Sequence, residues 1–233
     1  MIKETRMSGE ERRAAIVEAV LPLFARQGFA NTTTKALAEV AGVSEALIYK
    51  HFPSKESLYA EIQNLGCTGK DPGLEKLTAL NPSTATLVYI LYYFLRSVSI
   101  GKCKESINWE MRHRMLLNSC LEDGSYTRFL FQNRVSDCFN KMVKCIEASI
   151  ESGDMVPSCL PPENRLRFAH HVAAMIAIMH LPMQPVIDYG VSKQDLLNQV
   201  VWFALRGMGM KDEAITRHFD PKALEIFFGS GSA

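Results

Sequence analysis

Between Ser8 and Gly28 the apolar positions Ile16, Ala19, Val20, Leu23 and Phe24 recur at helical spacing. Ser8 followed by Glu11 makes a capping-box pair at the start of that run, and Gly28 supplies its stop. Pro22 lies inside it, where a ring without an N–H removes one backbone bond and crowds the carbonyl four residues earlier. The apolar stripe continues past Pro22, so a local kink rather than a break is expected. Thr33 can cap a second helix that turns Leu37, Ala38 and Ala41 inward; Gly42 then supplies a turn, and Val43 plugs it. Ser44 can cap a third helix, with Ile48 and Phe52 four residues apart on its inner face. Pro53-Ser54 ends that helix and starts a fourth over 55–65. These four helices are expected to form one compact bundle, the first three being too short to be stable alone.

Glycine and proline punctuate the chain beyond residue 65. Gly66, Gly69, Pro72, Gly73 and Pro82 mark 66–82 as a linker. Long helical patterns come next, over 83–100, 104–121, 126–152, 163–180 and 193–208, with a short final helix after Asp220-Pro221. Breaks fall at Gly101, Asp123-Gly124, Gly153 with Pro157, Pro161-Pro162, 182–190, and Gly207 with Gly209. No stretch alternates with the period of a strand, and 229–233 has the composition of a frayed tail. The expected fold class is all-α: an N-terminal three-helix domain followed by a larger helical bundle.

Two short helices broken at Gly42-Val43-Ser44, the second carrying an outward Tyr49-Lys50-His51 run, have the layout of a helix-turn-helix. That device sets one helix in the major groove of DNA. Charge adds nothing to the case. The 233 residues carry a formal net charge of +1, and before Leu65 the lysines and arginines are matched by glutamates. The reading rests on geometry. Residues 1–11 lack the apolar core of a signal peptide, and the longest strongly apolar run, 87–95, is too short to span a bilayer. A cytoplasmic protein with no membrane partner is expected. The cysteines, Cys67, Cys103, Cys120, Cys138, Cys145 and Cys159, form no CxxC pair and no disulfide framework. P-loop, GxGxxG, GxSxG and HExxH patterns are missing, so no catalytic residue, metal site or cofactor is expected.

From Gly42-Val43-Ser44 through Leu47-Ile48-Tyr49-Lys50-His51-Phe52-Pro53-Ser54-Lys55-Glu56-Ser57-Leu58, the chain closely resembles the TetR/AcrR family of transcriptional regulators. The likeness extends back through Leu23-Phe24, Gly28-Phe29, Thr33-Thr34 and Leu37-Ala38. It depends on turn, core and phosphate-contacting positions agreeing in order. Beyond Gly66 only the helical character is shared. Leu47 departs from the small or polar residue that the family often carries there, and Pro22 is also unusual. The resemblance implies a homodimer, usually a repressor, with a helix-turn-helix domain over 1–54. A ligand-binding and dimerisation domain would follow over 55–233, joined through helix 55–65. A small ligand in the second domain would release the DNA.

Phosphate contacts position a protein on DNA, and base-edge contacts choose the sequence. Thr33 and Thr34 sit at a helix start, where hydroxyls and amides suit a phosphate; the resemblance adds Tyr49, His51 and Lys55. Lys55 is poorly placed for helix stability, at an N-terminus, which favours a functional reason for it. Base readers are expected on the early face of the third helix, at Ser44, Glu45, Ala46, Leu47 and Lys50, with Lys35 reaching from the second. Ala46 and Leu47 suit thymine methyls, and Glu45 suits cytosine N4 or simply the helix dipole. A dimer would read a near-palindromic double-stranded site. The resemblance places its interface on 163–180 and 193–208, with Phe168, Val172, Met175, Ile176 and Met179, then Leu196, Leu197, Val200, Trp202 and Phe203. Candidates to line an apolar or aromatic effector's pocket are Tyr92, Tyr93, Trp109, Phe129, Met142 and Met175, with Arg112, His113, Asn133, His171 and Asn108 as polar hooks. Alternatives are a metal or redox sensor on the same fold, using Cys138 and Cys145 or the histidines of 163–180, and a helical interaction module that has lost DNA binding.

Overall fold

The computed structural model describes residues 7–67, 72–99 and 109–229. Its helices are α1 (Gly9–Gln27), α2 (Thr34–Val40), α3 (Glu45–His51), α4 (Lys55–Cys67), α5 (Pro72–Ala79), α6 (Thr84–Ser99) and α7 (Trp109–Leu121). Then come α8 (Ser125–Leu130), a π-helical segment (Phe131–Val135), α9 (Ser136–Glu151), α10 (Pro162–Met179), α11 (Lys193–Gly207), α12 (Asp212–His218) and α13 (Pro221–Gly229). Among the described residues there is no strand beyond one antiparallel bridge between Met155 and Met210. Cys67's side chain, Cys103, Asn108, Gly69, Gly101, the start of the helix expected at 104–121 and the tail 230–233 lie outside what is described.

Two compact units form, one from 1–69 with 106–133, the other from 70–105 with 134–233. Compactness therefore does not follow the functional division expected at 54/55. In the first unit α1 is capped reciprocally: Glu11 N donates to Ser8 Oγ at 3.1 Å, and Ser8 N donates to Glu11 Oε2 at 2.7 Å. These bonds hold the Glu11 carboxyl below its usual range. The helix runs through Pro22 and ends at Gly28, whose φ is +76°. A Cβ there would lie 2.5 Å from Glu122 Oε1, which accepts the Ala30 N–H at 3.0 Å. The core gathers Val20, Phe24, Leu37, Ile48, Phe52, Leu58 and Ile62 with Met115 of α7 and Tyr126 of α8. Phe24, Phe29, Tyr59 and Tyr126 form a chain of ring contacts with centroids 5.0–6.3 Å apart. Leu58 and Ile62 are fully buried in this core, so α4 is part of it.

His113, on α7, is buried, and its Nδ1 lies 2.8 Å from the Trp109 carbonyl. Desolvation drives its pKa down to about 4. The unfolded chain binds this proton near the ordinary value of 6.5, and the folded chain only near 4. Stability from this group is therefore present above about pH 6.5 and lost as pH falls towards 4, by at most about 3 kcal/mol. His113→Gln, which cannot titrate, is expected to flatten the melting-temperature profile between those limits; an unchanged slope would assign the acid sensitivity elsewhere.

In the second unit α6 is buried nearly all round, through Leu87, Val88, Ile90, Leu91, Tyr92 and Leu95. A helix apolar on every side needs neighbours on every side, and α5, α9, α10, α11 and α12 supply them. Ala169, Ala173 and Ala177 give α10 its thin inner face. Asp154 ties the far end: Thr84 Oγ1 donates to it at 2.7 Å, and Arg217 and His218 lie 3.2 and 3.4 Å away. The Thr84 bond first, then the Arg217 guanidinium, holds the Asp154 carboxyl below its usual range.

Three expectations about elements change. The stretch 66–82 contains α5, whose Leu77 is buried in the core, so it is not a bare linker. The single helix expected at 126–152 is α8, the π-helical segment and α9. That segment contains neither Gly nor Pro, and it falls where the chain passes from the first unit to the second. Two helices rather than one close the chain, because α12 precedes α13.

Candidate nucleic-acid interface

Thr33 caps α2, its Oγ1 accepting from Ala36 N at 3.2 Å, and Ser44 caps α3, accepting from Leu47 N at 3.2 Å. Each hydroxyl still has a hydrogen to donate. Gly42, at φ +63°, makes the turn between the helices, a conformation that a residue with a Cβ adopts at a cost. Ile48 and Phe52 hold the inner side of α3 in the core. Glu45, Ala46, Tyr49 and Lys50 are exposed, and Leu47 is half-buried. Thr34 Oγ1 and Tyr49 Oη lie 3.2 Å apart, so the start of α2 and the middle of α3 meet in one hydroxyl pair. Thr33 and Lys35 flank it, exposed, on α2.

Lys55 also has partners within the chain. Its Nζ donates to the Phe29 carbonyl at 2.9 Å and the Thr32 carbonyl at 3.0 Å, and sits 4.1 Å from the centre of the Phe29 ring. Two of the three ammonium donors thus close the connection between α1 and α2. This internal role accounts for a cation at a helix N-terminus without a phosphate. Lys55→Met is expected to cost about 2 kcal/mol, the scale of bonds from a charged donor. The salt dependence of DNA affinity should be unchanged, as a parallel melt and salt titration would show; a shallower salt slope would return Lys55 to the phosphate set.

Sequence reasoning passed over Arg13. Its Nη1 donates to the His51 carbonyl at 2.5 Å, its Nη2 meets Glu61 at 3.0 Å, and its guanidinium lies 4.3 Å over the Phe52 ring. It closes the C-terminal end of α3 and joins α1, α3 and α4. The signal was a charge at the stripe position three residues before Ile16. Arg165 is a second case: it is buried on the stripe of Ala169 and Ala173, and its guanidinium donates to the carbonyls of Leu160 at 3.1 Å and Met208 at 3.0 Å.

The ligand candidates divide between the units. Trp109, Arg112, His113, Phe129 and Asn133 belong to the first, and Tyr92, Tyr93, Met142, His171 and Met175 to the second. Tyr92 and Met142 are fully buried, and Tyr93 is half-buried. His171 and Met175 are exposed on α10. Asn133 is exposed too, donating to the Phe129 carbonyl at 2.8 Å. The apolar residues of α10 and α11 also sort by burial. Leu196, Leu197 and Val200 fill the core, whereas Phe168, Met175, Trp202 and Phe203 are 46–59% exposed. Cys138 and Cys145 are buried, and burial pushes the Cys145 thiol up. Among the described residues no three His, Cys, Asp or Glu side chains are grouped as a metal ion would need, and no helix is long and apolar enough to cross a membrane.

Residues 16–62 match the family model described as bacterial regulatory proteins, tetR family. The chain is 37% identical over 65 residues to the HTH-type transcriptional regulator AcrR of Shigella flexneri, covering 28% of this chain and 30% of that protein. It is 41% identical over 58 residues to the HTH-type transcriptional regulator TtgR of Pseudomonas putida, covering 25% and 28%. The aligned stretch thus spans less than a third of either relative. Solved structures extend the likeness of fold. A tetR-family regulatory protein from Rhodococcus RHA1 matches with a TM-score of 0.63 at 18% identity, over 87% of this chain and 99% of that one. AibR, in complex with isovaleryl coenzyme A and operator DNA, matches with a TM-score of 0.60 at 16% identity, over 83% and 97%. Residues 16–62 thus resemble the tetR family of bacterial regulatory proteins, and the helical fold around them is shared with the solved structures.

Proposed function

We propose that this protein is a transcriptional regulator, a homodimer that holds a near-palindromic operator and leaves it when a small molecule binds. The observation that carries the reading is α3 itself. Its inner residues are anchored in the core, its outer residues are exposed, and its Tyr49 is tied to Thr34 at the start of α2. That arrangement presents Glu45, Ala46, Leu47 and Lys50 to base edges while the Thr33, Thr34, Tyr49 and His51 side chains address the backbone. The curated relatives are described as regulators, and AibR was solved with both operator DNA and an acyl coenzyme A. The exposed apolar strip on α10 and α11 supports pairing of two copies, which would double the bases read. Release follows from linkage: the effector must favour a form whose two recognition helices are misplaced for DNA. Helix α4 is the natural lever, because it is built into the first core and its last residue lies close in sequence to the start of the second unit.

Fluorescence anisotropy with DNA from upstream of the protein's own gene, against unrelated DNA at matched salt, tests the reading. Equal affinity for both would refute it. Within that assay Tyr49→Phe is expected to weaken all sequences alike by up to about tenfold, one phosphate hydrogen bond. Leu47→Ala and Glu45→Ala should instead change which sequence is preferred, by about 1–3 kcal/mol at the affected base pair. A uniform loss in the latter two would remove them from the base-reading set.

A further inference from the structure

Helix α13 is attached through one face. Asp220 Oδ1 accepts the N–H groups of Lys222 and Ala223 at its start, and Leu224 is buried. Its last turn lays the Phe228 ring against α6, with centroids 5.8 Å from Tyr92 and 5.1 Å from Tyr93. Arg96 Nη1 donates to the Phe228 carbonyl at 3.0 Å. The other face carries Ile226 and Phe227, 70% and 71% exposed. A short helix that leaves two large apolar side chains in water gains little from docking and opens at low cost.

Beneath Phe228 the surroundings are those of a small-molecule site: aromatic walls with a few placed polar groups. The Tyr92 ring stands between Phe228 and Phe219, whose centroid lies 6.3 Å away. Its hydroxyl accepts from Gln194 Nε2 at 2.9 Å. Arg96 spends a fixed cation on a neutral carbonyl, although a guanidinium binds a carboxylate more strongly. Ring and carbonyl of Phe228 together have the shape of a phenyl group on a short chain ending in an oxygen acceptor.

We propose that Phe228 occupies a ligand site of this chain, and that the ligand is an arylalkyl carboxylate. Its ring takes the place of the Phe228 ring over Tyr92 and Tyr93, and its carboxylate takes the place of the carbonyl on Arg96. Binding displaces the end of α13, so affinity in the native protein is reduced by the fraction of molecules in which Phe228 is docked. The proposal rests on the reading of the protein as ligand-responsive and names the ligand class.

The test is calorimetric titration of the full-length protein with 3-phenylpropanoate in the absence of DNA. Phe228→Ala is expected to tighten binding about tenfold or more, because the resident ring is gone. Adding Arg96→Gln should abolish the gain, and 3-phenylpropanol should bind more weakly than the acid. Phe228→Leu, which keeps an apolar anchor, repeats the comparison with a smaller gain should the alanine variant unfold. Binding by Phe228→Ala no tighter than wild type, or alcohol and acid binding equally, would overturn the proposal. A protein that binds the acid but no DNA would sink the regulator reading and leave this one standing. Release from DNA by a compound indifferent to Phe228 and Arg96, with no binding of 3-phenylpropanoate by Phe228→Ala, would do the reverse.

Discussion

In the proposed homodimer, Phe203→Glu is expected to leave monomers and to weaken binding to a palindromic operator by about a hundredfold or more, the effect of losing a central interface anchor. Phe203 is 59% exposed and Trp202 beside it 46%, on a helix whose Leu197 and Val201 are buried. A single chain therefore gains little from these two aromatic rings, and a second copy packed on them gains much. A carboxylate placed there meets its own counterpart near a two-fold axis, with two charges losing water and neither finding a partner. Folding of the single chain should be almost unaffected, because the substituted side chain is already solvated. Light scattering should show the monomer, circular dichroism the same helix content, and anisotropy an affinity close to that for a half-site. A variant that remained dimeric with wild-type affinity would move the interface to another face.

The second large effect is expected at Phe52. This ring is fully buried at the end of α3 and carries the Arg13 guanidinium 4.3 Å over its face. Phe52→Ala removes the ring and leaves a cavity between α1, α3 and α4, at a cost of about 3–5 kcal/mol. Loss of the cation–π contact adds roughly 0.5–1 kcal/mol. That is a large share of the stability of a small domain, so DNA binding should be lost at 37 °C. Phe52→Leu, which retains most of the volume, should keep more than half of it. Differential scanning calorimetry checks both; a shift of less than about 2 °C for Phe52→Ala, below what 1 kcal/mol produces in a domain of this size, would show that the ring does not anchor the recognition helix.

The N-terminal helices were legible because their signals are local. Caps at Ser8, Thr33 and Ser44, a left-handed turn at Gly42 and stripes at 3.6-residue spacing each act over a few residues. Arg13 and Lys55 were not legible in the same way. A charge that bonds carbonyls 23–38 residues away leaves no periodic trace in the sequence. The π-helical segment is similar, since no glycine or proline announces it. The ligand candidates were chosen by residue type, and type does not distinguish a buried Met142 from an exposed Met175.

Sequence alone therefore determined the all-helical class, the helix-turn-helix and its caps, because propensity, capping and turn geometry are properties of neighbouring residues. Only the tertiary structure decided that α7 and α8 complete the first core, and which apolar residues of α10 and α11 face solvent. It alone showed Phe228 resting on Tyr92. Those facts depend on contacts between residues far apart in the chain, and the energy of such contacts exists only once the chain has brought them together.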